Sequence, residues 1–238
     1  MRHLVIIPTY NEVENISRIV PEVLKLSENT SILIVDDNST DGTLDSIKVL
    51  QDINPNRVFL IRRAGKLGLG TAYIEGFKYS LKTEASFIYE MDADFSHAPS
   101  DLQKLMEILE FDQADVVVGS RYVAGGKLVN WPFQRKLISI SGSIYTRLIT
   151  WMPIKDPTAG FIGYKREVLA AIDLNKISFV GYAFQIQMKF ESWIRGFRIK
   201  EIPITFKDRE AGTSKMSSNI VKEAALGVLI MKWRSMFS

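Results

Sequence analysis

The chain has 238 residues, 46% hydrophobic and 24% charged, with a formal net charge of +3 at pH 7. That length suits a single α/β domain with a sizeable core, and the charged fraction is ordinary for a globular protein. There are no cysteines and only two histidines, His3 and His97, which excludes disulfides, thiol catalysis and Cys- or His-built zinc sites.

Lys and Arg are spread along the sequence rather than massed in one segment, so nucleic acid is not an expected partner. An apolar run at residues 4–7, stopped by Pro8, predicts a first strand. It follows Met1-Arg2-His3 directly, without the profile of a secretory signal. Asn11 is the expected cap of a helix starting near Glu12, with Glu14 completing a capping box and Ile16, Ile19, Val20 and Val23 at helical spacing. A strand at 31–35, a helix from Thr40 or Asp41, a strand at 57–61 and a helix over 69–81 follow. A strand at 87–91, a helix over 99–109 with Pro99 in its first turn, and a strand at 114–119 complete the first half. Short β-branched runs alternating with helices predict a mostly parallel sheet covered on both faces.

The second half is less regular. A helix is expected over 132–152, with Leu137, Ile138, Ile144, Tyr145, Leu148 and Ile149 on broadly one side. Residues 160–164 and 197–204 are strand-like, and 216–237 predicts a last helix. No uncharged apolar stretch reaches the roughly 18 residues of a membrane span, so any contact with membrane is expected at its surface.

Polar clusters follow the strand ends, where open α/β sheets bind their ligands. Asp92 and Asp94 flank Ala93 in a tight turn, and two carboxylates at that spacing converge on one hard cation, magnesium or manganese. Ser96 is placed to add an oxygen or hold a coordinated water. A bound metal of this kind offsets charge on a nucleoside-diphosphate leaving group. Asp36 and Asp37 close the second strand, where one carboxylate can meet a nucleobase or ribose, while Ser39 to Gly42 serve turn and cap chemistry equally well. Calcium loops beginning at Asp37 or Asp92 fail for want of the acidic twelfth ligand. The glycines at 65, 68 and 70 do not spell a dinucleotide fingerprint, and no P-loop or nucleophile-elbow motif is present. Arg121, Arg135, Arg209 and Lys215 are candidate phosphate ligands, the last two in a polar loop that could close over a diphosphate.

These motifs carry a resemblance. Residues 7–12 (Ile-Pro-Thr-Tyr-Asn-Glu), 35–43, 68–72, 91–97, 119–122, 156–161, 181–186 and the 209–215 loop together resemble family 2 glycosyltransferases. Within them the chain resembles the polyprenyl-phosphate (dolichol-phosphate) mannose synthases. The resemblance implies an α/β, GT-A (Rossmann-like) nucleotide-diphospho-sugar transferase fold, with residues 1–120 holding the donor and 121–238 facing the acceptor. It implies inverting, metal-dependent transfer of mannose from GDP-mannose to a polyprenyl phosphate. Pro8, Tyr10, Glu12, Val35 and Asp37 then surround the guanosine, and Asp92, Ala93 and Asp94 meet the diphosphate. Asp92, Asp94 and Ser96 face Mg2+ or Mn2+, and Arg121, Arg135, Arg209 and Lys215 surround the donor diphosphate and acceptor phosphate. Where related chains often read Phe-Gln-x-Glu, this one has Gln187. The expected location is cytoplasmic, peripheral at the membrane face, through the 132–152 and 216–237 helices or through a membrane subunit. Two alternatives stay open: another hexosyl transfer to a lipid phosphate, and a non-catalytic nucleotide-sugar-binding subunit.

Overall fold

The computed structural model describes residues 2–179, 181–208 and 218–235. Among them nine strands run in chain order: β1 (His3–Thr9), β2 (Thr30–Asp36), β3 (Val58–Arg62), β4 (Phe87–Glu90), β5 (Val116–Ser120), β6 (Lys127–Val129), β7 (Ile162–Lys165), β8 (Ile199–Pro203) and β9 (Thr205–Lys207). The helices are α1 (Val13–Leu24), α2 (Thr43–Ile53), α3 (Leu69–Ser80), α4 (Pro99–Glu110), α5 (Phe133–Thr150), α6 (Arg166–Ala171), α7 (Tyr182–Ile194) and α8 (Ser218–Ser235).

Seven strands form one sheet in the order β3-β2-β1-β4-β7-β5-β8. Every pairing is parallel except those of β7, which runs antiparallel to both β4 and β5. The apolar runs read from the sequence are explained by burial on both faces. Val5 and Ile7 of β1 point to a core with Ile16, Ile19 and Leu105 from α1 and α4. Leu4 and Ile6 point the other way, to Tyr73 and Phe77 of α3 and Phe184 of α7. β6 and β9 form a separate parallel pair near the carboxyl edge.

Two expectations are corrected, and one helix is new. Asn11 does not cap α1: its backbone is left-handed at φ 57°, and its side chain instead accepts the Thr40 N–H at 3.0 Å, joining the loops after β1 and β2. Asn tolerates that conformation because its short amide bonds locally. The second helix begins later than read, at Thr43, behind Gly42 at φ 97°. The helix α7 was not foreseen because it is buried all round, Gln185, Gln187 and Lys189 included, and so lacks an amphipathic period.

The helix α5 is reversed in polarity. Its inward residues are Ser143, Thr146 and Thr150, whose hydroxyls donate to carbonyls four residues back at 2.9, 2.8 and 2.7 Å. These side chains need no partner from the body of the protein. Leu137, Ile138, Ile144 and Leu148 face outward, with Leu148 69% exposed, so most of the expected apolar face does not cover the core. Tyr145 and Ile149 alone of that set pack inward, against a small cluster with Met152, Phe190, Val228 and Met231. The helix α8 lies beside α5, joined by a 3.0 Å bond from the Tyr145 hydroxyl to Ala225 O, and leaves Leu226, Leu229, Ile230 and Trp233 exposed. No helix among the described residues is long and apolar enough to cross a membrane.

Two outcomes follow from this packing. Leu148→Ser will leave unfolding stability within about 0.5 kcal/mol of wild type, whereas Thr146→Leu will cost about 1–3 kcal/mol by overpacking, both measured by urea titration. A core-facing Leu148 would reverse that ranking. The second outcome concerns His3, buried with Nδ1 3.0 Å from the Tyr89 hydroxyl and Nε2 3.0 Å from Glu110. Burial holds its pKa below the ordinary value in spite of Glu110, and burial pushes His97 down to about 4. An imidazole harder to protonate folded than unfolded gives stability that is lost as pH falls below about 6.5. The urea midpoint will therefore drop between pH 7 and 5, and His3→Gln will make that drop shallower without abolishing it.

Candidate active site

The parallel strands deliver their carboxyl ends to one edge, and the reversed β7 delivers its amino-terminal flank to the same edge. Residues after β1, β2, β4 and β5 therefore meet the segment before β7. The sheet register places Pro8 beside Val35 and Thr9 beside Asp36, and the Met91 N–H bonds Ile6 O at 3.2 Å, carrying β4 alongside β1 as far as the Asp92 turn.

At the β1–β2 end the two adjacent acids have different work. Asp36 is fully buried and accepts Thr9 Oγ1 at 2.7 Å, Ser39 N at 2.8 Å and Ser39 Oγ at 2.6 Å, so it ties the two loops together. Asp37 is the one turned to the site. Burial raises its pKa, and the Arg63 guanidinium 2.8 Å away opposes that rise. Arg63 is itself buried, bonds Thr71 and pairs with Glu75 at 3.3 Å, clamping the start of α3 to Asp37. Tyr10 is half-buried, with the Lys66 ammonium 4.7 Å from its ring centroid, and Glu12 bonds Asn15. Val35 is placed differently from the other expected nucleoside contacts: its side chain is sealed in the core, so it has only main chain to offer. In the loop after β2, Ser39 and Thr43 accept the Asn11 and Glu12 N–H groups and Asp41 accepts the Thr43 hydroxyl, which fits the turn-and-cap reading.

The Asp-x-Asp turn is held from inside. Ala93 is buried in the core, which leaves Asp92 and Asp94 on either side of it, each partly exposed. The Ser96 N–H and hydroxyl both donate to Asp94 Oδ1, at 3.1 and 2.5 Å, and Phe95 takes φ 59° to close the turn. The Asp92 N–H donates to His97 Nδ1 at 3.3 Å. Ser96 thus orients Asp94 before it serves anything else. Tyr73 lies fully buried beneath; burial, then the charges of Asp92, Glu90 and Asp94, hold its phenol well above its ordinary pKa. Among the described residues no cluster of three or more acids and histidines exists that could hold a metal alone. Two carboxylates with hard oxygens fit Mg2+ or Mn2+ whose remaining positions are taken by ligand oxygens.

The cations converge through aromatic rings. His97 stacks on Phe161 at 4.7 Å and meets Phe206 edge-on at 5.5 Å. Phe206 contacts Trp131, and the Arg121 and Arg135 guanidinium carbons lie 5.5 and 4.1 Å from the Trp131 ring centroid. Arg121 is bonded by Asp156, and Arg135 donates to both oxygens of Asp208 at 2.8 Å. The structure therefore brings Arg121 and Arg135 to one aromatic cluster, to which the Asp92 turn is joined through His97. Arg209 and Lys215 lie outside the described residues. Sequence reasoning missed Arg63, Tyr73, Trp131 and Phe206; only Asp156 carried a signal, as part of a motif quoted without a role.

Gln187 is accounted for locally: its amide oxygen accepts Ser178 N–H at 3.2 Å and its amide nitrogen donates to Lys176 O at 3.4 Å. A neutral amide supplies both bonds, which a carboxylate cannot.

Comparison with known proteins agrees with this geometry. Residues 4–173 match the model of Glycosyl transferase family 2. The chain is 44% identical to a polyprenol monophosphomannose synthase of Mycolicibacterium smegmatis, over 95% of this chain and 85% of that one. It is also 44% identical to an undecaprenyl-phosphate mannosyltransferase of Micrococcus luteus, over 99% and 98%. A dolichol-phosphate mannosyltransferase of Pyrococcus furiosus is 37% identical, over 98% of this chain and 64% of its own length. In fold the chain is similar to glucosyl-3-phosphoglycerate synthase of Mycobacterium tuberculosis, crystallised with Mn2+, UDP-glucose and phosphoglyceric acid; the TM-score is 0.71 at 15% identity, covering 98% of this chain and 80% of that one. A match across more than half the chain, on a mostly parallel sheet with its acidic turn at the carboxyl edge, makes this protein a member of glycosyl transferase family 2.

Proposed function

We propose that the chain transfers mannose from GDP-mannose to a polyprenyl phosphate, with inversion at the sugar carbon. The observation that carries this reading is the meeting of two oriented arginines, Arg121 and Arg135, at Trp131 and Phe206, with the Asp92 turn joined to the same rings through His97. The names borne by the 44% identical relatives supply the sugar and the lipid. Pro8, Tyr10, Glu12, Asp37 and the Val35 main chain hold the guanosine. Asp92 and Asp94 would hold the divalent cation, which would supply positive charge against the departing diphosphate. Arg209 and Lys215 join Arg121 and Arg135 by resemblance.

The acceptor phosphate is already anionic at neutral pH, so its oxygen can attack the sugar carbon without a general base. As that bond forms, the bond from carbon to the β-phosphate oxygen breaks and its electron pair leaves on GDP. The protein's part is alignment and charge: Arg121 and Arg135 orient the acceptor opposite the leaving group.

An insoluble acceptor calls for a surface that meets lipid. We assign that to the outward faces of α5 and α8, where Leu148, Trp151, Leu229 and Trp233 stand among Arg147, Lys232 and Arg234. Apolar side chains flanked by cations suit the headgroup boundary at the cytoplasmic face.

Asp92→Asn and Asp94→Asn will each lower mannosyl transfer about 100-fold or more, and excess chelator will do the same to wild type, while melting temperatures stay within a few degrees. Transfer at the wild-type rate in either variant overturns the metal assignment, and transfer from UDP-glucose but not GDP-mannose overturns the donor. In sedimentation with anionic vesicles, Trp151→Ser combined with Trp233→Ser will weaken binding at least tenfold, and raised salt will weaken the wild type. Vesicle binding untouched by both changes would transfer the anchoring role to a membrane subunit.

A further inference from the structure

Asp156 is fully buried, and its carboxylate is bonded chiefly by Arg121, with the Thr158 hydroxyl donating to Oδ1 at 3.4 Å. Oδ2 accepts the Arg121 main-chain N–H at 2.9 Å and the Arg121 Nε–H at 2.7 Å, while Oδ1 accepts Nη2–H at 2.6 Å. Thr158 Oγ1 accepts from the same Nη2 at 2.9 Å. A two-pronged fork of this kind fixes the guanidinium plane as well as its position. The cation is also walled by rings: its central carbon lies 5.3 Å from Tyr122, 5.5 Å from Trp131 and 5.6 Å from Phe206. Arg121 and His97, which closes the Asp92 turn, line one small cavity.

The loop that carries Asp156 is itself anchored with unusual expense for a surface-edge segment. Glu201 accepts the Lys155 and Asp156 N–H groups at 2.8 and 2.9 Å. Beneath the loop, the fully buried Lys189 donates to Pro157 O at 3.0 Å, Ala159 O at 2.6 Å and Gln185 O at 3.1 Å. An ammonium has three donors, and these three carbonyls use all of them. A buried lysine is costly unless compensated, and Glu90 and Asp156 supply the opposing charge.

We propose that Asp156 is a positioning residue for the transfer reaction, acting through Arg121, with Thr158 as its second prong and Lys189 and Glu201 as the struts of its loop. This rests on the proposed function in taking Arg121 as a group that meets the lipid phosphate. Asp156 is not the base of the reaction: its oxygens are occupied, and although burial pushes its pKa up, the charge and bonds of Arg121 hold it below the ordinary value.

The test is a double-mutant cycle of Arg121→Ala, Asp156→Asn and the pair, read in two ways. Calorimetric binding of farnesyl phosphate, a short prenyl phosphate, needs no donor; mannosyl transfer from GDP-mannose is measured separately. Each single change is expected to weaken farnesyl phosphate binding at least tenfold, and Asp156→Asn in the Arg121→Ala background is expected to add less than threefold. Binding of guanosine, which lacks the diphosphate, should change less than threefold, which a general loss of fold would not allow. Thr158→Val, a smaller perturbation, should weaken prenyl phosphate binding several-fold and do nothing further without Arg121. Multiplying effects, Asp156→Asn binding within threefold of wild type, or no farnesyl phosphate binding by wild type overturns the positioning role. Where Asp156→Asn does not fold, the Thr158→Val cycle decides by the same criteria. Coupled binding in a protein that does not transfer mannose supports the positioning role and rejects the mannosyl donor instead.

Discussion

One reversed strand, β7, governs how this site is assembled. In a wholly parallel sheet, only the segments that follow strands reach the carboxyl edge. Because β7 runs against β4 and β5, the segment that precedes it arrives there too, carrying Asp156, Thr158 and Phe161 to Arg121 and His97. Its centre does equal work inside the sheet. Gly163 sits across from Tyr89, and a side chain there would strike the Tyr89 ring at 2.9 Å, so the strand can enter the middle of the sheet only with glycine at that point.

The same strand carries a second constraint, the compensation of buried charge. Tyr164 donates to Glu90 at 2.8 Å and Gln185 donates to its other oxygen at 2.5 Å. Glu90 is fully buried two residues before the Asp-x-Asp turn, and burial pushes its pKa up to about 7 against those bonds and the Lys189 charge. Burial likewise brings Lys189 down to about 8. Glu90, Lys189, Asp156 and Arg121 form an alternating series of charges under the site, each next to one of opposite sign. Removing Lys189 leaves Glu90 buried without its opposing charge, which is more costly than the series is worth as glue. Such a series holds a site rigid more than it stabilises a fold.

Much of this was legible in the sequence, for a physical reason. Buried parallel strands must be continuously apolar, so β1, β2, β4 and β5 announced themselves, and the polar residues after each were necessarily at the ligand edge. The expectation that Asp92 and Asp94 converge on a cation follows from that placement. What could not be read depends on contacts between distant segments. Asp36 and Asp37 look alike in sequence; only the proximity of Thr9 and Ser39 to one and Arg63 to the other separates them. Arg63 and Phe206 carry no local signal, because Asp37 and His97, which they meet, are far away in the chain. Helix α5 was read with its apolar residues on one side, but periodicity cannot say whether that side faces the protein. The hydroxyls of Ser143, Thr146 and Thr150, each satisfied within the helix, were the clue to the inward face.

That reversed polarity separates two kinds of demand on the sequence. Leu4, Ile6 or Tyr73 must be apolar for the chain to fold at all, since each lies fully within the core. Folding makes no such demand on Leu148, or on Trp151, which stands 74% exposed at the end of α5 in a left-handed conformation at φ 62°. Trp151 has the Lys232 ammonium 4.1 Å from its ring centroid, yet both side chains leave apolar surface to water, which invites self-association. Their hydrophobicity is a debt incurred by the isolated molecule and discharged only by its surroundings. A screen that scored variants by solubility or thermal stability alone would therefore select against these exposed apolar residues, whatever their use.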